Sequence, residues 1–459
     1  MPPTNILILG GGICGVASAI AISNAFSSSS SSSSSPLSIP TSNLNITIFE
    51  LRKEPSTIGG AVNLTPNAVR GLDILGVLDE LKTRRAGCEV SSIQLFSLHT
   101  GSSLGTIDYA GPDGTGHGGY RGRRVMRSEL LQALLAVAQK LENVQVVYGK
   151  KVAGLTESSE AVTVAFEDGT DAKGDLVLGC DGIHSATRMQ FIEPDRVPTY
   201  SGVASAYGFV NVSDVLDSGS GANEGMFFTD TALAMSRRGA FLMTYCDDAR
   251  QRIYVGALME TAQQVSKEGW RALGEDREAV KQDVVRRFET SALPHMKELV
   301  HSADEWFFYP IYRLSPQGKW CTDRVMLLGD AAHAVRTPPL PLHPSSPSTL
   351  HDTNVRPAQM PPRGESIGYA LEDAIIFSRV LSHFGLTQPP ATTFSFYEKI
   401  RRNPIDAAYR DASMGWESNK DSGFWVTKFM EWITPLYLWW TKNSREKTFR
   451  ADPRDIDFS

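Results

Sequence analysis

Short apolar runs and helix-like periodicity alternate along the first third of the chain. NILILG (5–10) and LNITIFE (44–50) are apolar runs that predict buried strands. CGVASAIAIS (14–23) predicts a helix directly after the first strand. Apolar residues recur at helical spacing in TPNAVRGLDILGVLDEL (65–81) and RSELLQALLAVAQKL (127–141). The first segment begins with Thr-Pro, a typical helix start, and predicts a single helix. This alternation predicts an α/β domain.

The pattern changes between about Pro198 and Pro310, where short aromatic runs such as AYGFVNV and RIYVGALME predict an antiparallel sheet. RVMLLGD (324–330) returns to the pattern of a buried parallel strand, and the chain is mainly helical from Gly364 onward. The predicted units are a discontinuous α/β domain over 1–197 and 311–385, a β-sheet domain over 198–310 and a helical region over 386–459.

Composition adds limits on function. A chain of 459 residues has room for two or three domains, and 41% hydrophobic with 21% charged residues is typical of soluble globular proteins. The net charge of −6, without a basic stripe, argues against a nucleic-acid partner. Five scattered cysteines without a C-x-x-C pair predict a reduced, cytoplasmic protein without disulfides or a metal site. No signal peptide or membrane-spanning segment is expected.

The first chemical motif is GGGICG, in which Gly10, Gly12 and Gly15 satisfy G-x-G-x-x-G between a strand and a helix. Such glycines permit a tight turn and let the backbone approach a pyrophosphate, at which the helix amides point. Glu50 ends the second strand, where a carboxylate would accept hydrogen bonds from ribose hydroxyls. The alternatives are a glycine-rich turn without ligand and an ordinary surface charge at Glu50.

Two further motifs are GDLVLGCDGIHSATR (174–188) and DRVMLLGDAAHA (323–334). With GGGICG, in this order and spacing over nearly the whole chain, they resemble the class A flavoprotein monooxygenases. This is the aromatic-hydroxylase family related to p-hydroxybenzoate and salicylate hydroxylases, here of a fungal secondary-metabolism type. The resemblance implies an α/β fold with a Rossmann-like FAD-binding domain, a β-sheet substrate domain and a C-terminal helical region.

The same resemblance implies roles for individual residues. Gly10, Gly12 and Gly15 would hold the FAD pyrophosphate, Glu50 the adenosine ribose and Asp330 the ribityl chain, while Asp181 would serve both FAD and NAD(P)H. Other positions assigned to the cofactor are Gly60, Ala61, Arg127, Pro362, Gly364 and Gly368. The last three belong to a loop and helix whose amides would face the flavin ring, although RGES stands where many relatives have G-x-G. The alternatives are a solvated Arg127 and a purely structural Asp181.

Tyr207 is the candidate catalytic residue, because many relatives have an arginine there and some fungal members a tyrosine. It would donate a hydrogen bond to the substrate or the flavin peroxide; the alternative is a core tyrosine of the sheet. The implied reaction uses NAD(P)H and O2 to form a flavin C4a-hydroperoxide, which hydroxylates or epoxidises an apolar phenolic, polyketide or terpenoid. The alternatives are a flavin-dependent reductase or dehydrogenase, and a flavin-binding protein inactivated by an insertion.

Two low-complexity insertions are predicted. The serine tract within 27–43 cannot bury apolar surface and should form a surface loop. Residues 335–359 separate GDAAHA from MPPRGESIGYALEDA, which together match the family pattern without a gap. This segment is either a retained intron in the gene sequence or a genuine insertion that bulges outward. A transcript lacking Ser345–Leu350 would identify the intron.

The C-terminal region contains the aromatic stretch FWVTKFMEWITPLYLWWTK, which includes Trp425, Trp432, Trp439 and Trp440. Pro435 should break its helix. The stretch is too short and interrupted to span a bilayer, but residues 424–441 are suited to a membrane interface, which would fit an apolar substrate. The alternative is packing on the protein itself or on a dimer partner. The sequence leaves the oligomeric state open.

Overall fold

The computed structural model describes residues 4–29, 44–57, 59–217, 225–303, 305–315, 317–334, 365–386, 388–416 and 420–458. The strands are β1 Thr4–Leu9, β2 Leu44–Glu50, β3 Ala61–Leu64, β4 Cys88–Val90, β5 Ser92–Ser97, β6 Ser103–Asp108, β7 Gly122–Met126, β8 Val144–Tyr148, β9 Val152–Glu157, β10 Val162–Phe166, β11 Asp171–Gly174, β12 Leu176–Gly179, β13 Thr199–Asn211, β14 Thr231–Ser236, β15 Gly239–Tyr245, β16 Arg252–Glu260, β17 Phe307–Arg313 and β18 Val325–Leu327.

The helices are α1 Ile13–Ser29, α2 Pro66–Ile74, α3 Val77–Thr83, α4 Arg127–Ala138, α5 Val212–Leu216, α6 Lys267–Glu275, α7 Arg277–Phe288, α8 Met296–His301, α9 Asp330–His333, α10 Glu365–Phe384, α11 Pro390–Trp416, α12 Phe424–Trp440 and α13 Lys442–Arg450. None of these helices is both long and apolar enough to cross a membrane.

A five-stranded parallel sheet forms the centre of the predicted α/β domain. Its strand order is β18-β12-β1-β2-β8, and β1 pairs with β2 on one side and β12 on the other. The inner strands are almost entirely apolar because α1, α4 and α10 pack around the sheet and exclude water from it. The predicted Rossmann-like α/β fold, with its β-sheet and C-terminal helical regions, is confirmed.

A seven-stranded sheet with the order β17-β13-β16-β15-β14-β5-β6 forms the second layer. Every neighbouring pair is antiparallel except β14 with β5. One face packs on α7 and α8 through a core that includes Phe241, Phe288 and Trp306. The sheet also contains β5 and β6, from the part of the sequence predicted to belong to the α/β domain.

Three local expectations were wrong. The single helix predicted over 65–81 is two helices, because Gly76 adopts a left-handed conformation with φ 71° between them. Helix α1 continues into the serine tract as far as Ser29, where Ser27 Oγ donates to the carbonyl of Ser23 at 2.9 Å. Pro435 lies inside α12 and does not end it. Most of 27–43 and all of 335–359 lie outside the described residues.

Candidate active site

Three of the predicted motifs meet at one edge of the parallel sheet. The loops that begin at Gly10, Cys180 and Leu328 follow β1, β12 and β18, which are neighbours in the sheet. Cys180 N donates to the carbonyl of Leu9 at 2.8 Å, and Leu328 N donates to that of Gly179 at 3.0 Å. The carboxyl ends of parallel strands are where α/β sheets bind nucleotides.

At two positions of the glycine loop, an added side chain would collide with backbone atoms. Gly10 has φ 110°, and a Cβ added there would lie 2.5 Å from the carbonyl oxygen of Cys180. A Cβ on Gly15 would lie 2.0 Å from the carbonyl oxygen of Gly10. In contrast, a Cβ on Gly12 would have no atom within 4 Å. Gly10 and Gly15 therefore shape the turn, while Gly12 leaves space at the start of α1 where a phosphate group fits.

Glu50 is held beside the glycine loop. Its Oε2 atom accepts from the backbone N–H of Gly11 at 2.7 Å, and its Oε1 atom accepts from that of Arg52 at 2.9 Å. These bonds fix the carboxylate at the end of β2, next to the end of β1. A fixed carboxylate with remaining acceptor capacity is suited to ribose hydroxyls.

Asp181 lies directly under the glycine loop, since its Cα would be 3.0 Å from a Cβ on Gly10. Its Oδ2 atom accepts from both the backbone N–H and the hydroxyl of Thr187, each at 3.0 Å. Burial raises the pKa of Asp181, although hydrogen bonds from Ser185 and Thr187 work against that rise. Asp181 thus supports its own turn, and its assignment to FAD and NAD(P)H stays a prediction.

The Gly329–Asp330 turn is anchored by a buried ionic network. Gly329 N donates to Asp373 Oδ2 at 2.9 Å, and His333 Nε2 lies 2.6 Å from the same oxygen. Arg401 Nε donates to Asp373 Oδ1 at 2.6 Å and its Nη1 atom pairs with a carboxylate oxygen of Glu372 at 2.9 Å. This network joins α9, α10 and α11, and it leaves Asp330 at the first position of α9 beside the glycine loop.

Arg127, Gly60 and Ala61 lie together at the far end of the site. Ala61 pairs with Met126 across β3 and β7, and Arg127 N donates to the carbonyl of Gly60 at 3.3 Å. The Arg127 side chain passes over Gly59, where an added Cβ would be 3.1 Å from its Cδ atom. Arg127 is half-buried and is held against the β3 loop, defined here as Gly59 and Gly60 directly before β3.

Tyr207 belongs to an aromatic wall, defined here as Tyr207, Phe209, Tyr254, Phe307 and Tyr309. Tyr207 stacks on Tyr254 and Phe307 with ring centroids 5.5 Å and 5.0 Å apart. A Cβ on Gly60 would lie 2.3 Å from Tyr254 and 3.0 Å from Tyr207, so the β3 loop touches this wall. Burial raises the pKa of Tyr207, as does Tyr309, while Arg127 works against the rise.

The remaining assigned residues are less informative. Pro362 and Gly364 lie outside the described residues. Gly368 is buried in α10, where an added Cβ would be 3.4 Å from the Cβ of Ala68 in α2. Its position is one of close helix packing, and its assignment to the cofactor stays a prediction.

Several residues of the site were not predicted from the sequence. Asp373 belongs to the ALEDA segment, for which the sequence predicted a role of the helix amides but no role of the carboxylate. Arg401 lies in an unremarkable helix, and nothing in its local sequence links it to His333. The sequence does not distinguish three of the wall residues from other aromatic residues of β-strands, namely Phe209, Tyr254 and Phe307. The alternation of RIYVGALME places Tyr254 and Gly256 on one face, which is the one signal available.

The site as a whole fits FAD. The glycine loop leaves open space at Gly12, which an added Cβ would enter, and the start of α1 offers backbone amides to a pyrophosphate. Two carboxylates suit sugar hydroxyls at this edge, that of Glu50 at the end of β2 and that of Asp330 at the start of α9, after β18. Beyond them the β3 loop leads to the aromatic wall, where a flat ring system would be in contact with apolar groups.

Comparison with known proteins supports this interpretation. Residues 3–340 match the family model described as FAD binding domain. The FAD-dependent monooxygenase ntnJ of Nectria sp is 23% identical over 408 residues, which cover 87% of this chain and 81% of that protein. A crystal structure of Klebsiella pneumoniae HpxO complexed with FAD and uric acid matches with a TM-score of 0.71 at 21% identity, covering 97% and 96% of the two chains. A salicylate hydroxylase substrate complex also gives 0.71, at 19% identity, covering 100% and 99%. These structural matches show a shared fold.

Proposed function

Because the chain belongs to the FAD binding domain family and is an FAD-dependent oxidoreductase, we propose that it is a monooxygenase that uses NAD(P)H and O2 to hydroxylate or epoxidise an apolar small molecule. The observation that carries this proposal is the contact between the β3 loop and the aromatic wall. It puts an apolar, ring-lined surface directly beside the residues assigned to the cofactor, which is where a substrate of such an enzyme must lie.

Each residue has a distinct task in this proposal. Gly12 and the start of α1 bind the pyrophosphate, Glu50 accepts from the adenosine ribose and Asp330 from the ribityl chain. Arg127 brings a positive charge to the β3 loop, beside Gly60 and Ala61. When bound, FAD supplies the transfer of electrons from NAD(P)H to O2. The protein contributes orientation and a surface from which water is excluded.

Tyr207 is proposed to act by positioning the substrate. The Tyr207 ring is fixed between Tyr254 and Phe307. Because burial raises its pKa, the hydroxyl remains protonated at neutral pH and is available as a donor. A hydrogen-bond donor on this aromatic wall would orient an oxygen-bearing ring relative to the cofactor.

The substrate class follows from the same wall. Five aromatic side chains favour a flat or polyunsaturated molecule. The structural relatives are consistent with this, since one was solved with uric acid and another is a salicylate hydroxylase. We therefore propose a phenolic, polyketide or terpenoid substrate, in keeping with the fungal monooxygenase ntnJ of Nectria sp among the relatives.

The test compares the full-length protein with a version that lacks residues 335–359. Both are purified, their visible absorption spectra are recorded, and NAD(P)H oxidation and O2 uptake are followed across a panel of phenolic and terpenoid compounds. The proposal expects bound flavin and substrate-stimulated oxygen uptake with one oxygen atom of ¹⁸O2 in the product. Substrate turnover without oxygen incorporation would identify a reductase or dehydrogenase instead. Flavin in the shortened version alone would show that 335–359 inactivates the site.

A further inference from the structure

Helix α12 exposes a continuous apolar stripe, defined here as Trp425, Phe429, Trp432, Leu436 and Trp439. Their side chains are 81%, 56%, 72%, 55% and 72% exposed. The spacing of four, three, four and three residues places all five on one side of the helix over four turns. Large aromatic side chains exposed in such a row are unusual on a soluble surface and indicate a contact with something outside the described chain.

The opposite side of α12 is already fixed to the protein. Tyr437 and Leu438 are buried in a core with strands β5 and β6. The hydroxyl of Ser97 in β5 donates a hydrogen bond to the carboxylate of Glu431, which also pairs with Lys428 of the same helix at 2.8 Å. Since this face is held by both apolar and polar contacts, α12 cannot rotate to turn the stripe inward. The stripe is therefore presented outward by the folded protein.

The charges next to the stripe differ in sign from those of the whole chain. Helix α13, KNSREKTFR, has four basic residues and one acidic residue, whereas the full chain has a net charge of −6. Lys442 is 60% exposed and Arg450 54%, and their contacts with Glu446 are long, at 3.8 Å and 3.6 Å. A basic segment directly after a tryptophan-rich stripe matches the two components of a membrane surface, an apolar boundary and anionic headgroups.

We infer that the stripe and α13 together dock on the surface of an anionic phospholipid bilayer. The helix would lie parallel to the membrane plane, with its tryptophans at the boundary between headgroups and acyl chains, where indole rings are favoured. A second copy of the chain is the less suitable occupant, because paired helices prefer branched aliphatic residues at these spacings over tryptophan. The inference rests on surface residues alone and does not depend on the reaction proposed above.

The experiment is flotation of the full-length protein with vesicles of phosphatidylcholine alone or mixed with phosphatidylserine. The test variant is Trp425→Ser/Trp432→Ser/Trp439→Ser, and the matched control is Val265→Ser, which changes a fully exposed apolar residue in another part of the protein. The wild-type protein and the control should float with the mixed vesicles, and the triple variant should bind about tenfold or more weakly. Added salt should weaken binding of the wild-type protein.

A second variant, Lys442→Glu/Lys447→Glu, tests the charge component without touching the apolar stripe. It should lose binding to the mixed vesicles while retaining its circular dichroism spectrum and thermal unfolding temperature. Failure of the wild-type protein to float with either vesicle would overturn the inference, and equal binding to both vesicles would overturn the anionic-lipid assignment. A dimer in light scattering that becomes monomeric in the triple variant would identify a second copy as the occupant.

Discussion

Replacement of Asp373 should destabilise the fold and the cofactor site together, because its carboxylate is completely buried and contacts three other residues. Its two oxygens accept from Gly329 N and Arg401 Nε, and one of them also contacts His333. In Asp373→Asn one oxygen becomes an NH2 group. In one orientation of the amide, its NH2 group faces the N–H donor of Arg401. In the other orientation, it faces Gly329 N–H and His333, so a hydrogen bond is lost in either case.

The expected cost follows from what remains after the change. Removing one partner of a buried ion pair typically costs about 3–5 kcal/mol, because the other charge stays buried. Arg401 retains Glu372 as a partner at 2.9 Å, so the lower end of this range applies. We expect the free energy of unfolding to fall by about 3 kcal/mol. Affinity for FAD should fall as well, since Gly329 and the turn that carries Asp330 lose an anchor.

The pH dependence of this loss has a definite sign. Burial opposes ionisation of Asp373, but His333 and Arg401 outweigh it and hold the pKa of Asp373 well below its ordinary value. A group whose pKa is lower in the folded state contributes stability above its unfolded pKa, near 4, and loses it as the pH falls toward the folded pKa. The deficit of Asp373→Asn should therefore be complete at neutral pH and shrink below about pH 4.

Urea unfolding followed by circular dichroism measures this deficit, with and without added FAD. The matched control is Asp79→Asn, which removes the same charge from an exposed pair with Lys82 at 3.8 Å. The control should unfold like the wild-type protein. If Asp373→Asn unfolded at the same urea concentration as the control, or if its deficit were unchanged at acid pH, the charge of Asp373 would not be what stabilises the network.

Three further substitutions test the site. Gly15→Ala should destabilise the protein by about 2 kcal/mol even without FAD, because the new Cβ would meet a backbone oxygen. Gly12→Ala should unfold like the wild-type protein without FAD but bind the cofactor more weakly. Urea unfolding measures the first effect and flavin titration the second. Glu50→Gln should keep its stability to within about 1 kcal/mol and reduce FAD affinity, measured by flavin fluorescence, and unchanged affinity would remove the ribose assignment. Tyr207→Phe should bind flavin normally but yield less product per NAD(P)H oxidised, by up to about tenfold; an unchanged ratio would make Tyr207 a core residue.

The parallel sheet and its motifs could be predicted from the sequence because local pattern determines them. A buried strand followed by a glycine turn and a helix is encoded in consecutive residues, and Gly10 was assigned from such a segment, whereas Asp181 and Asp330 were assigned from the family resemblance. The start of α2 at Pro66, after Thr65, was also predictable for the same reason. The family match confirms the resemblance inferred from the three motifs.

What could not be predicted depends on contacts between distant parts of the chain. Asp373 and Arg401 meet His333 only because α10 and α11 pack beside α9. The aromatic wall combines β13, β16 and β17, whose registers no single segment defines. Pro435 was misjudged because the cost of a proline within a helix, about 3 kcal/mol, is offset here by the burial of neighbours such as Tyr437 and Leu438, which hold the helix against the protein.

The attachment of α12 to β5 and β6 has a consequence for biosynthesis. Ser97 forms its hydrogen bond with Glu431, which is 334 positions further along the chain. The ribosome therefore exposes the apolar side of β5 and β6 long before the helix that covers it has been made. Such an uncovered strand surface is prone to aggregation. Chaperone supply and translation speed should accordingly limit the yield of soluble protein in a foreign host, and a chain cut before Phe424 should be recovered mainly in inclusion bodies.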